Sequence, residues 1–357
     1  MQDSNRILSR IAEPLLDWYD RCARSLPWRA TRDPYRIWIS EIMLQQTRVQ
    51  AVMEYYRRFL EAFPDVYALA SAPEEQVLKL WEGLGYYSRA RNLQKAAQTV
   101  AWELDGKFPS EKKELMKLPG IGEYTAGAVS SIAFGRAEPA VDGNVLRVAV
   151  RLLASEDDVS AAEVKKEVTE QIRAVIPPQR AGDFNQALMD LGATVCLPNG
   201  VPLCEVCPLA ELCEGNRKKL AADLPIKAPK KERTCERRTV FVIVCAEKAA
   251  FCRRPDRGLL AGMWELPNTS GELTRQQAEE QLKKWGFSAP LLSPTVRAKH
   301  IFTHREWQMS GWVVRVSQQS RNPNFLWADW EKISHEMSVP SAFSAYMTIL
   351  QRGLKET

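Results

Sequence analysis

Three groups of residues have the types and spacing that could do chemistry. The first is Glu41, in Ile37-Trp38-Ile39-Ser40-Glu41-Ile42-Met43-Leu44. Read as a helix, the segment is apolar nearly all round, because Ile37, Trp38 and Leu44 flank the glutamate and Ile39, Ile42 and Met43 cover the other side. Such a helix belongs inside a core. A carboxylate there is costly unless a structural cation pairs with it or a function retains it. Burial raises its pKa, which suits a general acid near neutral pH. The second group is Val141-Asp142-Gly143-Asn144-Val145, ahead of a helical run over 146–153. Asp142 reads as the N-cap of that helix. The same position keeps it ionised and able to stabilise a developing positive charge, so the two readings are compatible. One neutral acid beside one charged carboxylate is the division of labour to look for. The third group is Cys196, Cys204, Cys207 and Cys213, spaced Cys-x7-Cys-x2-Cys-x5-Cys. Four thiolates that close can hold one metal centre, and the spacing permits zinc or an iron–sulfur cluster. A zinc ribbon normally shows two distant Cys-x2-Cys knuckles, and this chain has one.

Between the acids lies Leu118-Pro119-Gly120-Ile121-Gly122-Glu123-Tyr124-Thr125. A helix over 111–118 meets a tight Gly-x-Gly turn, after which a second helix opens. Such a turn points backbone N–H groups outward at a helix N-terminus, where a phosphate can sit. A plain corner between two helices has the same appearance, and the turn alone does not choose.

The elements that must hold these residues divide the chain in two. Its 357 residues exceed one ordinary domain. Residues 5–195 read as consecutive helices. Asp33-Pro34 starts one over 35–44, Thr47 can cap the next, and Ala72-Pro73-Glu74 opens another that Gly83 and Gly85 break. Residues 215–238 are basic and punctuated by Pro225 and Pro229, as a linker would be. Beyond them, 239–245 (TVFVIVC) and 312–316 (WVVRV) read as strands and 341–350 as a helix. The net charge of +5 suits a polyanionic partner without demanding one. No secretory, transit or membrane-spanning segment is visible, so the expected compartment is the cytoplasm. Structural disulfides are rare there, and the scattered Cys22, Cys235, Cys245 and Cys252 read as small core or surface residues.

The sequence LPGIGEYTAGA from Leu118 resembles the helix-hairpin-helix of the endonuclease III superfamily of DNA glycosylases. PWR at 27–29, SEIMLQQTRV around Glu41, GLGYYSRARNL at 83–93 and VDGNV around Asp142 resemble its adenine-specific branch most closely, over nearly the whole chain. The resemblance implies an all-helical helix-hairpin-helix core with a cysteine-ligated cluster loop (1–215), a basic linker (216–238) and a Nudix-like α+β domain (239–357). It implies hydrolysis of the N-glycosidic bond of adenine mispaired with 8-oxoguanine or guanine in double-stranded DNA, by a monomer acting on an everted base. Glu41 would protonate adenine at N7 and later position or activate water, while Asp142 would stabilise or transiently capture the oxocarbenium-like sugar. Asn144 and Tyr124 would assist it. Arg29, Trp28 and Asp190 would line the adenine pocket, Gln46 would wedge into the gap, and Gly120 and Gly122 would form the phosphate-binding turn. Where bifunctional relatives carry a nucleophilic lysine this chain has Tyr124, which implies no efficient strand cleavage. The four clustered cysteines would bind a [4Fe–4S] cluster, although the first gap is one residue longer than the family's and LPNGVPL, at 197–203, lacks that loop's basic residues.

GLLAGMWELP at 258–267 and HIFTH at 300–304 carry the Nudix-like resemblance. The magnesium-binding box of working Nudix hydrolases is missing from 268–286, so no nucleotide hydrolysis is expected. Phe302, Thr303 and His304 would read 8-oxoguanine, with Thr303 standing where the family has serine. Two competing readings are a thymine glycosylase of the same fold, whose relatives generally lack a C-terminal module, and a non-catalytic DNA-binding or redox-sensing protein. The presence of Glu41, Asp142 and Asn144 together speaks against the latter.

Overall fold

The computed structural model describes residues 6–228, 232–288 and 290–355. Pro229, Lys230 and Lys231 of the expected linker lie outside the described residues. The helices from Ala12 onward are α1 (Ala12–Cys22), α2 (Pro34–Leu44), α3 (Val49–Ala62), α4 (Val66–Ser71), α5 (Glu74–Leu80), α6 (Ser88–Glu103), α7 (Lys112–Leu115), α8 (Glu123–Phe134), α9 (Gly143–Leu153), α10 (Ala162–Val175) and α11 (Ala181–Thr194). Asp33 caps α2 by accepting from the Tyr35 N–H at 2.9 Å, with Pro34 in the first turn. Thr47 does not cap α3, as the sequence suggested. Its hydroxyl turns back to the Gln45 carbonyl, and Arg48 holds the cap position with no side-chain bond. The helix before the hairpin is only the short α7, where a longer one over 111–118 was expected.

Two compact units result, one of Met1–Ser71 with Asn92–Pro229, the other of Ala72–Arg91 with Lys230–Thr357. The first is built on a core in which α1, α9, α10 and α11 meet through Leu15, Val148, Ile172 and Phe184. The second draws in a segment that sequence reading left with the helical domain. Lys79 of α5 donates to the carbonyls of Met337 (2.9 Å) and Ile333 (3.3 Å), and Arg91 donates to the Ala261 carbonyl. Local periodicity carries no trace of such distant partners.

The strands of the second unit are β1 (Thr234–Cys245), β2 (Lys248–Arg253), β3 (Trp264–Glu265), β4 (Asn268–Ser270), β5 (Leu291–Pro294), β6 (Ala298–Ile301), β7 (Arg305–Arg315) and β8 (Leu326–Ala328). Their sheet runs β3-β2-β1-β7-β5, with β4 on β1, β6 on β7 and β8 on β2. Its centre is β1 lying parallel to β7, in register from Thr234 opposite Arg305 to Val244 opposite Arg315. Period-2 alternation sends Val240, Val242 and Val244 to one face and Phe241 and Ile243 to the other. Helices at Trp330–His335 and Ser344–Lys355 cover the first face through Ile333, Tyr346 and Leu350. The helix Arg275–Lys284 covers the second through Ala278 and Leu282. Both long strands begin earlier than their β-branched runs, because polar residues such as Glu236 and Gln308 still pair along the exposed ends.

Candidate active site and cysteine pocket

A cleft of about 670 Å³ opens in the helical unit, lined by residues from α2, the hairpin turn, the loop before α9, and α10 and α11. Glu41 lies in its wall, 5% exposed, because α2 is surrounded by core on nearly every side. Burial pushes its carboxyl up to about 7; a hydrogen bond from Tyr124 and the charge of Arg29 pull down, while Asp142 pushes up. The Tyr124 hydroxyl donates to Glu41 Oε2 at 2.6 Å. Burial, with the nearby Glu41 and Asp142 charges, holds that phenol well above its ordinary pKa, so it stays a donor.

Asp142 lines the same cleft. It caps α9, with Oδ1 accepting from the N–H groups of Asn144 (2.9 Å) and Val145 (2.8 Å) and Oδ2 from the Asn144 amide at 2.7 Å. Three donors and the positive end of α9 thus converge on this one carboxyl group. Gly127 sets the approach of this loop. A Cβ at Gly127 would stand 2.1 Å from the Pro139 carbonyl oxygen, so α8 must be bare there for the segment ahead of Asp142 to pass.

The hairpin turn has Gly120 at φ +76°, a conformation that favours glycine, and a Cβ there would meet Asn92 Cβ at 2.7 Å. Gly122 stands at the N-cap of α8 with open space around it and no side chain capping the helix. The turn therefore offers backbone donors to whatever approaches from outside. Gln46 is exposed beside it at φ +59°, and its neighbour Gln45 donates to Thr125 Oγ1 at 3.2 Å.

Trp28 and Arg29 line the cleft, whereas Asp190 does not. Asp190 is fully buried and accepts a two-pronged bond from Arg29 (2.5 and 2.7 Å) and another from Arg24 Nε at 2.7 Å. Burial pushes its carboxyl up, but those two guanidinium groups outweigh it and hold the group below its ordinary range. Asp190 acts here as the anchor that aims two arginines. A lone acid in a helix sequence cannot distinguish a wall residue from an anchor.

Sequence reading also missed Arg147 and Arg151, both buried in α9. Arg147 donates to Asn144 Oδ1 (3.0 Å), to the Gly192 carbonyl (2.6 Å) and to the Cys196 carbonyl (2.9 Å). Arg151 donates to Cys196 Sγ at 3.3 Å and to the Leu197 carbonyl at 2.8 Å. The available signal was the spacing 144, 147, 151, a polar stripe on an otherwise apolar helix.

Cys196, Cys204, Cys207 and Cys213 line one small pocket whose other walls include Val148, Leu152, Leu191 and Leu209. Burial pushes the Cys207 thiol up to about 12 and raises Cys204 and Cys213 as well, so bare thiolates are unfavourable without positive charge among them. Among the described residues no three His, Cys, Asp or Glu side chains converge as a single metal ion would need. Four sulfur donors around one apolar pocket fit the thiolate ligation of an iron–sulfur cluster.

In the second unit Phe302-Thr303-His304 forms the turn between β6 (Ala298–Ile301) and β7. Phe302 packs edge-on against Trp307 and His300, and Thr303 and His304 are exposed. Thr303 Oγ1 lies 3.0 Å from the hydroxyl of Tyr86, itself 48% exposed at φ +48°. Tyr86 falls inside the GLGYYSRARNL run, yet nothing in that run singled it out.

A cleft with an acid, a capped carboxylate and a hairpin turn defines a class, and residues 39–174 match the family described as HhH-GPD superfamily base excision DNA repair protein. Residues 239–348 match the NUDIX domain family. A thermostable thymine-DNA glycosylase superposes with a TM-score of 0.54 at 30% identity, over 60% of this chain and 98% of its own. A trapped endonuclease III–DNA covalent intermediate superposes at 0.50 with 28% identity, over 58% and 94%. The adenine DNA glycosylase of Mus musculus is 35% identical over 89% of this chain and 73% of its own length. That of Buchnera aphidicola subsp. Schizaphis graminum is 30% identical over 94% and 97%. The chain belongs to the adenine DNA glycosylase family, base-excision repair enzymes that hydrolyse N-glycosyl bonds. Among the described residues no helix is long and apolar enough to cross a membrane.

Proposed function

We propose that the chain binds double-stranded DNA as a monomer and removes adenine opposite 8-oxoguanine or guanine, without efficient strand cleavage. The observation that carries this is the pairing in one cleft of Glu41, whose pKa is raised to about 7, with Asp142, held by three donors at the tip of α9. Near neutral pH a substantial fraction of Glu41 is protonated. It gives its proton to N7 of the everted adenine, which weakens the glycosidic bond. Positive charge then develops on the sugar, where Asp142 stabilises it, and water completes the hydrolysis. Tyr124 holds Glu41 in place and offers no amine, so no Schiff base forms with the sugar at this position. Trp28 and Arg29 form the adenine side of the cleft, with Arg29 aimed by Asp190. Extrusion of a base costs a few kcal/mol. Gln46 offsets part of it by filling the vacated stack, and the Gly120–Gly122 turn by gripping a backbone phosphate.

The four cysteines hold a [4Fe–4S] cluster, which when bound supplies the positive charge that keeps their sulfurs as thiolates. Phe302, Thr303 and His304 contact the base opposite adenine, with the Thr303 hydroxyl as the donor or acceptor to 8-oxoguanine. The C-terminal unit favours this over a thymine-specific reading, since the thymine-DNA glycosylase above is spanned almost wholly by 60% of this chain.

The test is alkali cleavage of duplexes carrying A opposite 8-oxoguanine, A opposite G, or T opposite G. Product is expected from the first two. Glu41→Gln should lower single-turnover excision by about 10³-fold or more while duplex binding persists. Turnover at the wild-type rate would remove Glu41 from the chemistry, and product from T opposite G alone would overturn the substrate assignment.

A further inference from the structure

We propose that Lys165 of α10 grips a phosphate beside the nucleotide everted into the cleft, a contact made from outside both the hairpin and the pair of acids. The inference rests on the excision reading above. Among the described residues lining the cleft, the cationic ones are Arg24, Arg29 and Lys165. Both arginines are committed to the buried Asp190. Lys165 is exposed, and among the described residues its ammonium makes no hydrogen bond or ion pair.

Its helix explains why it is free. Helical neighbours three and four residues away are Ala161, Ala162, Val168 and Thr169, none of them acidic. The adjacent Lys166 has Glu163 and Glu170 at those spacings. Two lysines in sequence thus differ in what they can do. One is flanked by acids on a solvated face, and the other reaches the cleft unneutralised.

The cleft also needs such a charge. Asp142 and Glu123 both line it. A strand that delivers its base to these acids brings its own phosphates towards them, and an uncommitted ammonium at the rim offsets that repulsion. Lysine suits this role because its flexible stem lets a compact charge follow the backbone as the base turns.

The experiment measures binding of the full chain, with its metal centre, to a duplex holding 2′-fluoro-2′-deoxyadenosine opposite 8-oxoguanine, which resists cleavage. Affinity is followed from 50 to 200 mM salt. A single lost phosphate contact lowers the slope of log affinity against log salt by about one, and weakens binding about fivefold near 0.15 M. That is expected for Lys165→Ala, with Lys165→Arg close to wild type and Lys166→Ala unchanged in both quantities. An unchanged slope for Lys165→Ala, or an equal loss for Lys166→Ala, overturns the proposal while leaving the excision reading intact. A wild-type chain that releases no adenine from A opposite 8-oxoguanine overturns that reading, and this inference with it.

Discussion

The two ends of what α9 touches are built on opposite plans. At its tip, Asp142 and Asn144 face a cleft of about 670 Å³ that a ligand can enter and leave. Along its flank, Arg147 and Arg151 are shut away against Cys196 and its neighbours, among apolar side chains. In the open region the acids face a cleft, and a substitution should change turnover more than folding. In the closed region the same atoms satisfy several carbonyls at once, and a substitution should register as lost order. Arg147 belongs to both, since one of its nitrogens reaches Asn144 and another reaches the Cys196 carbonyl.

That contrast can be broken in three places. The largest effect is expected at the open end. Asp142→Asn keeps a good N-cap but loses the charge, and should lower single-turnover excision by about 10²- to 10³-fold with little change in Tm. An intermediate effect is expected at the junction. Arg147→Gln leaves the carbonyl-type acceptors of Gly143, Asn144, Gly192 and Cys196 short of a donor, and should cost about tenfold in rate together with lower iron and sulfide per chain. A loss of rate with full iron content and unchanged Tm would show that the two regions are independent. The smallest effect is thermodynamic and concerns Glu41. Its folded-state pKa, about 7, stands above its ordinary 4.5, so the native state binds the proton more tightly than the unfolded chain. Stability from that proton is fully present below pH 4.5 and is lost as pH rises through 7. Glu41→Gln, which cannot ionise, should therefore match wild type near pH 4 and exceed it above pH 7, by a few degrees in Tm. Equal melting at pH 8 would mean that the carboxyl is not buried as described.

Legibility in the sequence followed the range of the interaction. Asp142 and Asp33 are caps, and a cap is decided within three residues, so both could be read from spacing. Glu41 stood out because an apolar helix has nowhere neutral to hide an acid. The hairpin was visible through Gly120, whose φ of +76° favours glycine. Asp190 and the two arginines it anchors lie more than 160 positions apart in the chain, and no period links them. Arg147 and Arg151 resembled the solvated edge of an amphipathic helix, although both are buried. For long charged side chains, the identity of the residue says little about whether the head group meets water or carbonyl oxygens.

The excursion of Ala72–Arg91 carries a consequence for biosynthesis. Its hydrogen-bonding partners Ala261, Thr303, Ile333 and Met337 all come from the last hundred residues or so of the chain. During synthesis this stretch leaves the ribosome long before they do, and waits with Lys79 and Arg91 lacking their native carbonyl acceptors. A chain cut short after the cysteines would keep the cleft residues yet leave that stretch without its mates, so the second unit can close only once its last residues have been made.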